Sequence, residues 1–245
     1  MKKRLIGIAA LALIAITGSL WWWAYNSLDA QIASAIRRYG PEITGVPISL
    51  SGANISLVDG RAGLRGLIVG NPDGFRTEHA LSLGEISMTL DIGSLTTDVI
   101  RIKEITLVEP EITYEYTAAG SNLDRLQRNI ERYISRQHGE GNTSGDSESG
   151  KKLVIEHLYI MNGTVRVRTE ILGRQSVSMT LPDLHLQNIG KKSNGTTTGE
   201  AMKQILGPIV QQTGTSVASL GVGTAGKVIQ KGMDTATDTI KRLFK

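Results

Sequence analysis

A glycine-rich stretch near the C-terminus is the part of this sequence that most resembles a chemical motif. It reads Gly221-Val-Gly-Thr-Ala-Gly226-Lys227, which matches most of a phosphate-binding P-loop. Val228 stands where a P-loop has the Ser or Thr that binds magnesium, and no hydrophobic strand or βαβ pattern surrounds the stretch. Close packing of a helix explains these glycines better. We therefore predict no nucleotide site and no bound cofactor.

Histidine and cysteine, which supply most metal ligands and many nucleophiles, do not form a recognisable set. The chain has no cysteine, and it has no Gly-x-Ser-x-Gly sequence around a serine nucleophile. The four histidines are scattered without metal-ligand spacing, and surface or packing roles explain them best: His79, His138, His157 and His185. The sequence therefore predicts no metal site.

Three glutamates, Glu109, Glu111 and Glu115, share one phase of a strand pattern. Paired carboxylates can perform acid–base catalysis. On an exposed strand face such side chains are more often simply solvated, and they discourage pairing between sheet edges. We therefore predict no catalytic residue and a protein that is not an enzyme.

The distribution of charge argues against nucleic acid as a partner. The 245 residues carry a formal net charge of +4, and much of the basic excess lies at the two termini. Aromatic residues make up 4% of the chain, and no basic patch is interleaved with them. The body between the termini is close to neutral.

The N-terminal segment has the composition of a membrane anchor. Leu5 to Tyr25 is almost wholly apolar, which is close to the length of helix that spans a bilayer. Lys2-Lys3-Arg4 precede it and place the N-terminus in the cytoplasm, and Trp21-Trp22-Trp23 suits an interfacial aromatic belt. The alternative is a cleaved signal peptide, but tryptophans occupy the place where its small residues would lie. We predict a retained anchor over residues 1–27, with the body in the periplasm if the source is Gram-negative.

The body begins with a helix and continues as strands. Leu28 to Tyr39 has helical periodicity and is predicted to end at Gly40-Pro41. From Val46 the apolar residues alternate, as in a strand. Asn71-Pro72-Asp73-Gly74 predicts a tight turn, because proline fixes φ and glycine accepts a positive φ, and Phe75 is predicted to pack behind it.

Two segments share one apolar spacing, which indicates an internal repeat. We interpret each as a hairpin, with turns at Pro110 and at Asn162-Gly163. The alternative is that two unrelated hairpins share this apolar spacing by chance. The matching positions are Ile102, Ile105, Leu107, Pro110, Ile112 and Tyr114 in the first segment, and Ile155, Leu158, Ile160, Gly163, Val165 and Val167 in the second.

The segments between and after these strands differ in composition. A helix with a capping box at Ser121 and Asp124 is predicted to reach Ile134, and residues 137–152 are predicted to be a disordered loop. Residues 28–190 then form one β-rich domain. Residues 191–245 form a polar linker and a helical segment, which either packs on the sheet or lies on a membrane.

Four motifs occur in one order along the chain: Asn71-Pro72-x-Gly74-Phe75, Ser94-Leu95, Ile102-x-x-Ile105-x-Leu107-x-x-Pro110-x-Ile112, and Gly120-Ser121-Asn122-Leu123-x-x-Leu126. Together with the N-terminal anchor, they resemble the AsmA-like envelope proteins of Gram-negative bacteria. The resemblance covers roughly Leu5 to Ile130, and this chain is shorter than the large members. It implies an inner-membrane anchor, an elongated periplasmic β-rich body, and a role in phospholipid movement or outer-membrane assembly.

The sequence thus predicts an α+β fold with an antiparallel or meandering twisted sheet and flanking helices on a single N-terminal transmembrane helix. One sheet face should be apolar, and either a buried core or a lipid-holding groove fits its pattern. The candidate groove residues are Ile102, Ile105, Leu107, Ile112 and Tyr114. Three functions stay open: handling of phospholipid or assistance to outer-membrane assembly, an adaptor that binds another envelope protein, and, with least support, an enzyme.

Overall fold

The computed structural model describes residues 28–118, 120–139, 151–169 and 176–219. The predicted anchor at residues 1–27, the P-loop-like stretch at 221–227 and most of the predicted loop at 137–152 lie outside these ranges. Within them, no helix is long and apolar enough to cross a bilayer.

The described residues form one sheet of eleven strands, together with three α-helices. Helix α1 covers residues 28–44, α2 is Asn122–Gly139 and α3 is Thr198–Ser219. Short 3-10 helices cover Ile92–Thr96 and Lys191–Ser193. The strands are β1 (Ile48–Ser49), β2 (Gly52–Ser56), β3 (Arg61–Gly70), β4 (His79–Leu90), β5 (Val99–Val108), β6 (Glu111–Thr117), β7 (Gly120–Ser121), β8 (Lys152–Met161), β9 (Thr164–Thr169), β10 (Val177–Thr180) and β11 (Leu184–Ile189).

Several of these strands are pieces of longer ones. β5 and β6 pair with β4 in one continuous register, so the chain keeps its direction through Pro110. β8 with β9, β10 with β11, and β1 with β2 are continuous in the same way. The order across the sheet is β1/β2, β3, β4, β5/β6, β8/β9, β10/β11, with β7 beside the end of β6.

The α+β prediction is confirmed, but the prediction of an antiparallel sheet is wrong for one pair of neighbours. β5/β6 and β8/β9 run parallel. A parallel pair needs a crossover connection, and α2 lies in the connection between them. The other neighbours along the sheet are antiparallel.

The repeated spacing has a structural origin that differs from the predicted hairpins. Repeat-equivalent residues are cross-strand partners: Ile102 pairs with Ile155, and Ile105 with Leu158. The two repeats are therefore parallel strands lying side by side, and the hairpin prediction is wrong for both. Asn162-Gly163 does not reverse the chain. Asn162 is an extra residue in the left-handed conformation, with φ 55°, and the strand continues in the same direction on both sides of it.

A line of irregular residues crosses the sheet, and we call it the crease: Ser51, Gly66, Gly84, Glu109, Asn162 and Pro182, which occupy equivalent positions in the strand registers. Gly66, Glu109 and Asn162 have φ values of 60°, 53° and 55°. A side chain at Gly66 would overlap Ser51. Each strand thus carries one extra residue at the crease, as in a β-bulge, and inward-facing residues on its two sides are three positions apart instead of two.

The apolar face of the sheet is covered by the helices. Leu123, Leu126 and Ile130 of α2 and Leu206 and Ile209 of α3 are buried in the same cluster as the inward residues of the strands. This cluster is the core of the described residues.

Helix α1 also contributes to the core, through Ala33 and Ile43. The predicted end of α1 at Gly40-Pro41 is wrong. The helix continues to residue 44 and ends at Gly45, whose φ of 68° allows its N–H to bond the carbonyl of Pro41 at 2.8 Å.

Candidate functional site

The structure places the five candidate groove residues together on the helix-covered face. Ile105, Leu107 and Ile112 are buried, with Ile112 only 1% exposed, while Ile102 and Tyr114 are half-buried against the same cluster. Burial and the negative charge of Asp124 raise the pKa of the Tyr114 phenol, although a hydrogen bond with Ser121 opposes that shift. Among the described residues, these side chains are packed as core.

The predicted turn at residues 71–75 is part of a polar network at the end of the sheet where β3 leads into β4. Pro72 is buried, Asp73 is exposed, and Gly74 has the positive φ expected of it, at 94°. Phe75 is half-buried, and its N–H lies 3.4 Å from the carbonyl oxygen of Pro72. The Asn71 side chain donates to the carbonyl of Thr77 at 2.7 Å, which closes the loop between β3 and β4.

Asn122 joins this loop to the start of α2. The residue is fully buried, and its Oδ1 accepts from the backbone N–H groups of Glu115 and Leu123, both at 2.9 Å. Its Nδ2 donates to Asn71 Oδ1 at 2.8 Å and to the carbonyl of Thr113 at 2.7 Å. The predicted cap also forms, since Ser121 Oγ accepts from the N–H of Asp124 at 3.1 Å. Two motifs that lie far apart in the sequence are therefore bonded to each other.

Glu115 completes the network. Its carboxylate accepts from the N–H groups of Arg76 and Thr77 and from the Thr77 hydroxyl, at 2.6 to 3.0 Å. Burial favours a higher pKa for Glu115, but these hydrogen bonds and the charge of Arg168 outweigh it and lower the pKa. A carboxylate whose acceptors are used this way orders the loop, which is a structural role.

The other two glutamates do not join Glu115 in a shared site. Glu111 forms an ion pair with Arg166 at 2.9 Å, and Glu109 is exposed at the crease. The three glutamates are close in the sequence because they follow one another along a single strand. Their carboxyl groups do not converge on a common site.

Both long edges of the sheet are protected. On the β1/β2 edge, Arg37 of α1 donates to the carbonyl of Leu50 at 3.0 Å, and Asp29 accepts from the N–H of Ile55 at 2.8 Å. The β10/β11 edge is interrupted by Pro182 and by Asn188, which has φ 58°. Caps, prolines and bulges of this kind disfavour addition of a strand from another chain.

The sheet face opposite the helices carries polar side chains, and we call it the open face. Cross-strand pairing aligns these side chains in two rows, and most of them are exposed. The rows are Arg61, Thr89, Glu104, His157 and Gln187, and Ser87, Thr106, Tyr159 and His185.

Two histidines meet on the open face. His157 Nδ1 and His185 Nε2 are 3.1 Å apart, across the β8–β11 pair. The Tyr159 ring stacks on His185 with centroids 4.2 Å apart and planes 14° from parallel. The amide of Gln187 lies 3.1 Å from Nδ1 of His185. The three rings are all within stacking distance of one another, and we call them the His–Tyr–His cluster.

Sequence reasoning missed this cluster because the two histidines lie in different strands whose pairing is set by the fold. A usable signal existed, since each histidine falls on the polar phase of its strand. His79 instead contacts Glu111 at 3.5 Å, and His138 lies near the end of α2. In the part of the chain that the structure describes, no three His, Cys, Asp or Glu residues form a metal-binding group.

Comparison with known proteins adds no family. No model of a known protein family matches the chain, and no curated protein is significantly similar to it.

Proposed function

We propose that this protein is a non-enzymatic module of the bacterial envelope, anchored in the inner membrane by residues 1–27, that binds another envelope protein through the open face. The single observation that carries the choice of a protein partner is the burial of Ile105, Leu107 and Ile112 under the helices. A body that sheltered acyl chains would need apolar surface accessible to them, and here that surface is used for the core.

The location at a membrane is supported by the sequence and by the position of α1. The apolar run ends at Tyr25, and the first described residue, Leu28, already lies in α1. Asp29 bonds Ile55 near the β2–β3 turn, so the chain enters the fold at that end of the sheet. Four exposed lysines, Lys151, Lys152, Lys191 and Lys192, flank β8 and β11 at the same end. Lysines near an anchor favour contact with anionic lipid.

The open face is supported as the binding surface by elimination among the described residues. The opposite face is covered by helices, and both long edges are protected by side chains or irregular backbone. The open face carries both signs of charge: Arg65 is the cross-strand partner of Glu85, and Arg61 lies in the same row as Glu104. Such a mixed polar surface suits a protein partner with complementary charges.

Lipid handling is the second candidate, favoured by the resemblance to AsmA-like proteins. It requires lipid to reach the inward residues, for example by displacement of a helix. The assembly role that the resemblance implies is compatible with either form of binding.

Site-specific photo-crosslinking in a Gram-negative host tests the two candidates together. A photoreactive residue at Thr89 should give a discrete protein adduct, and one at Arg128 on the exposed side of α2 should not. Phospholipid adducts from Met88, which points inward, would support lipid handling instead. Equal protein adducts from Thr89 and Arg128 would contradict the open-face proposal.

A further inference from the structure

We propose that His157 and His185 form a binding site for a divalent late transition-metal ion on the open face. This site is independent of the proposed function, because it rests only on the geometry of two adjacent strands. The sequence predicted no metal site, since residues 157 and 185 become neighbours only through the register of β8 and β11.

The distance between the two ring nitrogens fits a shared ion. An ion at about 2.0 to 2.1 Å from each of two imidazole nitrogens, with an angle near tetrahedral, separates those nitrogens by roughly 3.3 Å. His157 Nδ1 and His185 Nε2 are 3.1 Å apart. Either a hydrogen bond between the rings or a bound ion accounts for that distance.

The surroundings of His185 orient it as a ligand. Stacking on Tyr159 holds the ring plane. The Gln187 amide nitrogen lies 3.1 Å from Nδ1 and 3.4 Å from Nε2 of His185, so it packs against the imidazole ring beside both nitrogens.

The ligand set indicates which ions fit. Imidazole nitrogens suit copper, nickel and zinc, and affinity for such a site is expected to be greatest for Cu²⁺. No third His, Cys, Asp or Glu completes the group among the described residues, so water fills the other positions. The site is open to solvent, because His185 is exposed. An open two-histidine site binds an exchangeable ion and does not hold the fold together.

Metal titration of the full chain in detergent tests the proposal. The protein is purified without a polyhistidine tag and titrated with Cu²⁺ and Zn²⁺ in a calorimeter. His157→Asn and His185→Asn should each weaken binding on the order of tenfold or more, which is at least the loss seen when only a supporting partner is removed. His138→Asn is the matched control and should retain the affinity of the unchanged protein. Circular dichroism checks that all variants remain folded.

Electron paramagnetic resonance of the Cu²⁺ complex gives the second readout. We expect a spectrum with coordination by two imidazole nitrogens, which falls to one in either variant. Equal affinity in the unchanged protein and both variants would overturn the proposal, and so would coordination by a single nitrogen in the unchanged protein.

Discussion

Glu109 and Asn162 adopt the same left-handed backbone conformation at equivalent positions of two parallel strands, with φ of 53° and 55°. The strands remain bonded across this point, since the N–H of Glu109 bonds the carbonyl of Met161 at 2.9 Å and the N–H of Thr164 bonds that of Pro110 at 2.8 Å. The matched conformations allow both strands to accommodate an extra residue without losing register. The crease is thus a shared feature of the sheet.

Glycine at position 109 should stabilise the protein relative to alanine there. A residue with a Cβ pays about 1 to 2 kcal/mol in this conformation, and glycine does not. We expect Glu109→Gly to be more stable than Glu109→Ala by about 1 kcal/mol in chemical denaturation. The matched pair is at Glu104, an exposed residue of β5, where glycine should be the less stable by about 0.5 to 1 kcal/mol. The same sign at both positions would contradict this account of the crease.

Removing the charge of Glu115 should destabilise the protein near neutral pH. In Glu115→Gln the side chain can no longer offer two carboxylate oxygens to the Arg76 and Thr77 donors, so we expect a loss of about 1 to 3 kcal/mol. Glu85→Gln, at an exposed carboxyl on β4, is the control and should change stability by less than about 0.5 kcal/mol.

The effect of Glu115 should also depend on pH. Its pKa is lowered in the folded protein, so the folded state binds this proton more weakly than the unfolded state. The stabilisation is therefore present above the unfolded pKa of about 4.3 and is lost as the pH falls through the folded pKa. Denaturation between pH 7 and pH 3 should show the unchanged protein and Glu115→Gln converging in acid. A constant difference across this range would show that the carboxylate charge is not responsible.

Asn122 should be among the least replaceable polar residues. Asn122→Ala removes four hydrogen bonds and leaves the buried N–H of Glu115 and carbonyl of Thr113 without this partner. We expect a loss of about 2 to 4 kcal/mol in the free energy of unfolding. Asn129→Ala, in the same helix, removes a half-buried bond to the carbonyl of Thr44 and should cost less than about 1.5 kcal/mol. Similar losses for the two variants would argue against the network.

Truncation of Ile112 distinguishes a core from an open groove. The side chain is 1% exposed, so Ile112→Ala should cost about 2 to 5 kcal/mol of stability. Val108 faces the open side and is 43% exposed, so Val108→Ala should cost no more than about 0.5 kcal/mol. A loss at Ile112 as small as that at Val108 would mean that the inward face is accessible, and it would favour lipid handling.

Periodicity in the sequence located the inward residues but not the path of the chain. The spacing of Ile102, Ile105 and Leu107 identified a buried face, and the Ser121 cap located the start of α2. The hairpin turns predicted at Pro110 and at Asn162-Gly163 were wrong, because turn-forming residues also suit a bulge inside a continuing strand. Nothing in the local sequence distinguishes a turn from such a bulge.

Contacts between distant segments were beyond sequence reasoning for a different physical reason. The bonds of Glu115 to Arg76 and of Asn122 to Asn71 depend on the packing of β6 and α2 against the β3–β4 loop. The approach of His157 to His185 depends on strand register. Residue spacing along the chain predicts neither the packing nor the register. It indicates only that each histidine lies on the polar side of its strand.

The crease makes the lengths of separate strands depend on one another. Deleting Asn162 alone would shift every later residue of that strand by one place against its neighbours, so that Val165 instead of Thr164 would lie opposite Glu111. Insertions and deletions in the sheet would therefore have to be matched from strand to strand. Change in chain length during evolution should accordingly collect in the connections between strands, and strand lengths should be inherited as a set.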